Sequence, residues 1–182
     1  MSTSYNISEI RRGNRNEFGK LVEEDMDYIY KTALMIMANE EDARDIVQDT
    51  FVKAWDKRRS IKDSECLRPY LRKITVNKCY DQLRRRKRWK EEFSTEDESA
   101  IKSLVSDENP GKKLENDEAI SLIKTVVSGL STRQRIIFTM IELEGMSHSE
   151  VSELTGMKKT SIKSNLTHAR KKLDEKLKDY LR

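Results

Sequence analysis

Two prolines and six glycines are all that could interrupt 182 residues. With so few breakers, long helices can run unbroken, and a loop-rich or turn-rich architecture is excluded. Cysteine is equally scarce. Cys66 and Cys79 stand alone, thirteen apart, which excludes a disulfide framework and predicts buried free thiols in a reduced compartment. No stretch approaches the ~20 apolar residues of a membrane-crossing helix, so no direct membrane insertion is expected. Met1–Ile10 lacks the basic-then-apolar layout of a signal peptide, and the location predicted is cytoplasmic. There is no strand signal of useful length and no glycine-rich phosphate loop. The only two histidines, His148 and His168, have no cysteine, histidine or carboxylate company at ligand spacing. The serines have no histidine–carboxylate partner pattern. No catalytic site, no metal and no cofactor are therefore predicted.

What is present is charge and helical periodicity. Charged residues make up 37% of the chain and apolar residues 36%, and the mean hydropathy is −0.81. That balance suits small helical cores rather than one large one. From Asn16 to Met37 the residues Phe18, Leu21, Val22, Met26, Ile29, Tyr30, Ala33, Leu34 and Met37 recur at three- and four-residue steps. The next helix is the most regular: Ala43, Ile46, Val47, Thr50, Phe51, Ala54 and Trp55 follow the amphipathic template without a miss. Asn39 is its expected N-cap, and Glu40, Glu41 and Asp42 suit the positive end of its dipole. A third helix is predicted over roughly Leu67–Arg88, with Pro69 in its first turn.

The pattern then breaks. Residues 91–118 hold ten acidic residues against three basic ones, a net of −7. Such a stretch predicts a solvated, flexible linker. The expected organisation is an N-terminal lead-in over 1–14, a helical domain over 15–90, an acidic linker over 91–114 and a four-helix domain over 115–182. The fold class is all-α. Within the last domain, helices are predicted over Glu115–Ser128, from Ser131 to about Leu143, from Ser147, and from near Lys159 onward. Ser131-Thr132-Arg133-Gln134 and Ser147-His148-Ser149-Glu150 both read as capping boxes.

Residues 147–173 carry the strongest functional signal. A capped short helix, Gly156 in the turn, then a long helix is the layout of a helix-turn-helix that reads duplex DNA. On the second helix Ile162, Leu166, Ala169, Leu173 and Leu177 share one face. Thr160, Ser164, Thr167 and Lys171 point the other way, flanked by Lys163 and His168. Short hydroxyls admit close approach to a groove, and the basic side chains reach base edges or phosphates. From Lys158 to Arg182 nine basic residues face three acidic ones. The alternative for one such helix is an ordinary amphipathic helix with a solvated basic face.

Two further helices are charged in opposite senses. Cys66–Lys90 holds ten lysines and arginines against Asp81 alone, a net of +9, with Tyr70, Tyr80 and Trp89 interleaved. That mixture suits single-stranded nucleic acid. The helix over residues 40–55 has an acidic outer face, which repels DNA and meets either water or a protein partner.

Residues 42–55, DARDIVQDTFVKAW, resemble the core-polymerase-binding helix of the sigma-70 family of bacterial sigma factors. LRPYLRKITVN at 67–77 and DQLRRR at 81–86 resemble that family's helix for the −10 promoter element. Leu130–Arg135 and Glu144–Leu173 resemble its −35-reading domain. A short linker without extra N-terminal domains points to the extracytoplasmic-function group. The resemblance covers roughly 15–90 and 115–175. It implies a promoter-specificity subunit whose partners are RNA polymerase core enzyme, promoter DNA (single-stranded at −10, duplex at −35) and an anti-sigma factor. It implies that Asp45, Gln48 and Asp49 contact the polymerase clamp, and that Asn77 receives a flipped base. Tyr70, Arg72 and Lys73 lie along the −10 strand, with Arg84, Arg85 and Arg86 on upstream phosphates. Lys163, Ser164, Thr167 and His168 match positions that read −35, and Thr160, Ser161, Arg170 and Lys171 hold phosphates. Asn165 departs from the family's frequent arginine, and Tyr70 from its frequent tryptophan. A stand-alone regulator would explain the helix-turn-helix but not the acidic helix. A nuclease would need clustered carboxylates that the sequence does not offer. The charge pattern also predicts that the two modules fold back on each other, or on an inhibitor.

Overall fold

The computed structural model describes residues 4–61, 67–93 and 114–180, and every regular element among them is helical. None of these helices is long and apolar enough to cross a membrane. The stretch expected as a linker over 91–114 is helical at its two ends, residues 91–93 continuing the preceding helix and Leu114 starting the next, while 94–113, Cys66 and the side chains from Lys87 to Lys90 lie outside the described residues.

The lead-in is not bare chain. It contains α1 (Ile7–Arg12), capped by the Asn6 side chain and closed by Gly13 at φ 95°. Ile7 and Ile10, three apart, bury one side of this short helix in the N-terminal core. Two apolar residues are too few to register as a periodicity, which is why the sequence reads as a lead-in. The Glu17 carboxylate accepts the Asn6 backbone N–H at 2.6 Å, and Glu24 accepts from the Ser4 backbone and hydroxyl.

Next comes α2 (Arg15–Met37), started by the Asn14 side chain. It ends at Ala38, which sits in the left-handed region at φ 57° and donates its N–H to Leu34. The regular helix becomes α3 (Glu40–Asp56), with the Asn39 side chain accepting from Asp42 N–H at 2.8 Å as its cap pattern predicts. α4 (Leu67–Phe93) crosses both. These helices bury Leu21, Ile29, Phe51, Ala54, Leu67 and Leu71 together. The Thr50 and Thr75 hydroxyls meet at 3.3 Å inside this bundle, satisfying two polar groups between α3 and α4.

The second module holds α5 (Leu114–Gly129), α6 (Thr132–Phe138), α7 (His148–Thr155) and α8 (Lys159–Tyr180). Both capping boxes form: Gln134 returns to the Ser131 N–H and Glu150 to the Ser147 N–H. The helix from Ser131 does extend to Leu143, but its last stretch, Thr139–Leu143, widens into a π-helical turn.

The two modules share a core. Ala33, Ile36, Ala43, Ile46, Val76 and Cys79 of the first are buried in one cluster with Ile136, Ile137, Met140, Val151, Ile162 and Leu166 of the second. Met35 joins Val126, Val127, Leu130, Ala169 and Leu173 in another. The cause lies in α2. Its last five residues, Ala33–Met37, are apolar on every side and all buried, and a helix that is apolar all round needs neighbours all round. The modules therefore fold back on each other, and among the described residues apolar side chains from helices make the contact.

Candidate nucleic-acid interface

The helix-turn-helix forms as its residues predict. Gly156 ends α7 at φ 70°, a conformation that favours glycine, and donates its N–H to Ser152. The Ser152 hydroxyl donates to the Met157 carbonyl at 2.8 Å, so this small residue closes the turn. Ile162, Leu166, Ala169 and Leu173 are buried. Thr160, Lys163, Ser164, Thr167, His168, Arg170 and Lys171 are exposed, and Ser161 is half-buried. Apart from Ser161, the candidate −35 face is thus open to solvent. Asn165 is turned away from it: its amide donates to the Ser161 carbonyl one turn back, at 2.8 Å. Thr167 likewise donates to the Lys163 carbonyl at 3.0 Å, which leaves its oxygen to act toward DNA as an acceptor. Arg170 pairs with Glu142 at 2.5 Å.

The candidate −10 set lies along α4 and is less free. Lys73 and Arg85 are exposed, and Asn77 is half-buried. Tyr70 packs against the N-terminal core. Arg72 is paired with Glu144 of the second module at 3.4 Å. Arg84 pairs with Asp81. Arg86 puts two nitrogens on the Asp42 carboxylate, at 2.6 and 2.5 Å, with Gln82 donating to the same group. Hydrogen bonding to Asp42 raises the guanidinium pKa of Arg86. Asp42 is the buried first-turn acid of α3, so in this state Arg86 braces α4 against α3 instead of pointing at phosphate.

Asp45, Gln48 and Asp49 are all exposed on α3. Asp49 accepts from Lys78 of α4 at 2.8 Å. Val52, at the next position of this same face, is 54% exposed. Val52 lies off the buried stripe by helical spacing, and an apolar residue three positions beyond Asp49 on an acidic face is its signal in the sequence.

Two other residues escaped sequence reasoning. Arg135 is largely buried and its Nε donates to the Ile36 carbonyl at the end of α2, while Nη1 donates to Leu130. Burial lowers its pKa, yet the carbonyls of a helix C-terminus are a favourable place for a cation. Glu144, in the loop before α7, is also buried. Nothing in the local pattern around either residue marks it as buried.

The family model described as Sigma-70 region 2 matches residues 21–89, and that described as Sigma-70, region 4 matches residues 120–173. The chain is 32% identical to RNA polymerase sigma factor NccH of Alcaligenes xylosoxydans xylosoxydans over 165 residues, covering 89% of this chain and 87% of that protein. It is 26% identical to ECF RNA polymerase sigma factor SigE of Mycolicibacterium smegmatis over 89% of this chain, and spans 60% of the length of that relative. Among solved structures it resembles the sigma factor RpoE of Bartonella quintana, crystallised with the anti-sigma factor NepR. The TM-score is 0.57 at 26% identity, over 88% of this chain and 96% of that one. CnrH, in complex with the cytosolic domain of CnrY, shares the fold with a TM-score of 0.55 at 22% identity over 95% of both chains.

Proposed function

This chain belongs to the sigma-70 family of RNA polymerase sigma factors, in its extracytoplasmic-function group, and from that premise we propose how its surfaces divide the work of promoter recognition. The protein is the promoter-specificity subunit of RNA polymerase and acts in the cytoplasm. It has no reaction of its own; the polymerase core performs the chemistry. The observation that carries this reading is the presence in one chain, in order, of an exposed acidic helix face, a basic helix and an exposed helix-turn-helix face.

Asp45, Gln48 and Asp49 on α3 dock on the core enzyme, with Val52 supplying the apolar contact that an acidic face alone lacks. The α4 surface of Tyr70, Arg72, Lys73 and Asn77 holds the opened −10 strand. An amide such as that of Asn77 reads a base edge only after the base has left the stack. Arg84, Arg85 and, once released from Asp42, Arg86 meet the upstream phosphates. On α8, Lys163, Ser164, Thr167 and His168 face the −35 bases, while Thr160, Ser161, Arg170 and Lys171 meet phosphate. Asn165, folded back on its own helix, contributes no base contact. By analogy with RpoE, crystallised with the anti-sigma factor NepR, an inhibitory protein is a further partner.

Run-off transcription with purified core enzyme tests the reading. A promoter-dependent transcript is expected on genomic templates from upstream regions that the protein activates in cells. No such transcript on any genomic template, together with no binding to core enzyme, overturns it. A stand-alone regulator would leave the exposed acidic face of α3 without a role.

A further inference from the structure

Glu144 is 1% exposed. A buried carboxylate is costly unless hydrogen bonds and a countercharge compensate it, and among the described residues each side chain that does so comes from the other module. The Tyr28 hydroxyl donates to Oε2 at 2.5 Å and the Thr32 hydroxyl to Oε1 at 2.8 Å. The Arg72 guanidinium lies 3.4 Å away. Burial and the Glu144 carboxylate push the Tyr28 phenol up to about 12, so its proton stays available to donate. Separation of the modules would remove all three partners at once and return Glu144 to water.

The residue that Glu144 engages is one that the −10 strand requires. A guanidinium binds carboxylate and phosphate with the same donor geometry. While its Nε edge faces Glu144, Arg72 cannot turn that edge to a DNA phosphate. Neighbouring ties reinforce the arrangement. The Tyr80 hydroxyl of α4 donates to the Thr155 carbonyl at the helix-turn-helix turn, and Lys124 of α5 pairs with Glu40 of α3 at 2.6 Å.

Size adds an independent constraint. A compact chain of this length has a radius of gyration of about 16 Å, roughly 40 Å across. The −10 and −35 elements are about 25 base pairs apart, or about 85 Å of duplex. The closed molecule cannot reach both, although its −35 face is exposed.

We propose that Glu144 is an internal stand-in for DNA phosphate, a latch that occupies Arg72 and holds the helix-turn-helix module against the strand-binding helix until the protein opens. This rests on the assignment of Arg72 to the −10 strand.

The test compares wild type, Glu144→Gln and the milder Tyr28→Phe, each checked for helicity. Glutamine keeps the shape and one of the two acceptor oxygens and removes the charge. Small-angle scattering reads opening, and fluorescence anisotropy with a labelled 20-nucleotide single strand of mixed sequence reads access to α4. Wild type is expected to be compact. Glu144→Gln is expected to scatter with a larger radius and to bind the single strand several-fold more tightly, with Tyr28→Phe changed in the same direction by less. Unchanged radii in both folded variants overturn the latch. Opening without tighter strand binding overturns the phosphate mimicry. Run-off transcription by the wild type stands apart from both readouts: its failure removes the promoter reading while the scattering comparison still decides whether Glu144 closes the molecule.

Discussion

The hydroxyl of Tyr80 donates to the carbonyl oxygen of Thr155 at 2.7 Å, joining α4 to the turn between α7 and α8. The bond satisfies a carbonyl at the C-terminal end of α7, where helices leave acceptors unpaired. It also places a residue of the basic helix, Tyr80, against the second module. Tyr80→Phe keeps the ring and removes the donor. The expected loss of stability is about 1 kcal/mol, read as a lower urea midpoint with unchanged slope. A change in slope instead would mean that the variant alters the compactness of a state rather than one bond.

Core binding is expected to depend on the α3 face more than on any charge elsewhere. Asp45 is exposed, and among the described residues no hydrogen bond or ion pair holds its side chain. Asp45→Lys should leave the melting curve unchanged and weaken core-enzyme affinity at least about tenfold, because reversed charge at a complementary interface is repulsive. Val52→Glu should act in the same direction. Retained affinity in both variants, measured by co-purification and titration with core enzyme, would move the docking surface off α3.

At −35 the informative variant is Lys163→Ala. Lys163 is exposed on the open face of α8. If it reads a base, the loss is about 1–3 kcal/mol and varies with −35 sequence. A uniform loss across sequences, with a shallower salt dependence, would make it a phosphate contact.

The N-terminal arm should loosen locally in acid. The hydrogen bonds from Lys20 and from the Asn6 N–H lower the pKa of Glu17, and those from the Ser4 hydroxyl and N–H lower that of Glu24. A carboxylate held lower in the folded state contributes its stabilisation in full above its ordinary value and loses it as pH falls through the lowered one. Both groups are at the surface, so the effect is local. The protection of the amides of residues 4–13, taken relative to their intrinsic exchange at each pH, is expected to fall on acidification through the carboxylate range while the amides of α3 stay protected. Simultaneous loss of protection everywhere would contradict this.

Much of the local structure was legible in the sequence because it rests on interactions within a few residues. The Asn39 cap, the capping boxes at Ser131 and Ser147, and the turn at Gly156 each need only neighbours in the chain. The burial of Ile162, Leu166, Ala169 and Leu173 follows from helical spacing alone. The exposure of Asp45, Gln48 and Asp49 follows in the same way. Short-range geometry repeats at fixed intervals, and intervals can be counted.

Tertiary structure alone decided what those elements meet. The run Ala33–Met37 fits a helix anywhere, and only its surroundings show that both modules are needed to cover it. The charge imbalance anticipated that the modules fold together, but apolar burial and a few cross-module hydrogen bonds join them. Arg72, Arg86 and Glu144 are ordinary surface charges by sequence, with partners 72, 44 and 72 residues away. Pairing at such distances depends on how the chain folds back, and neither periodicity nor charge density carries that information.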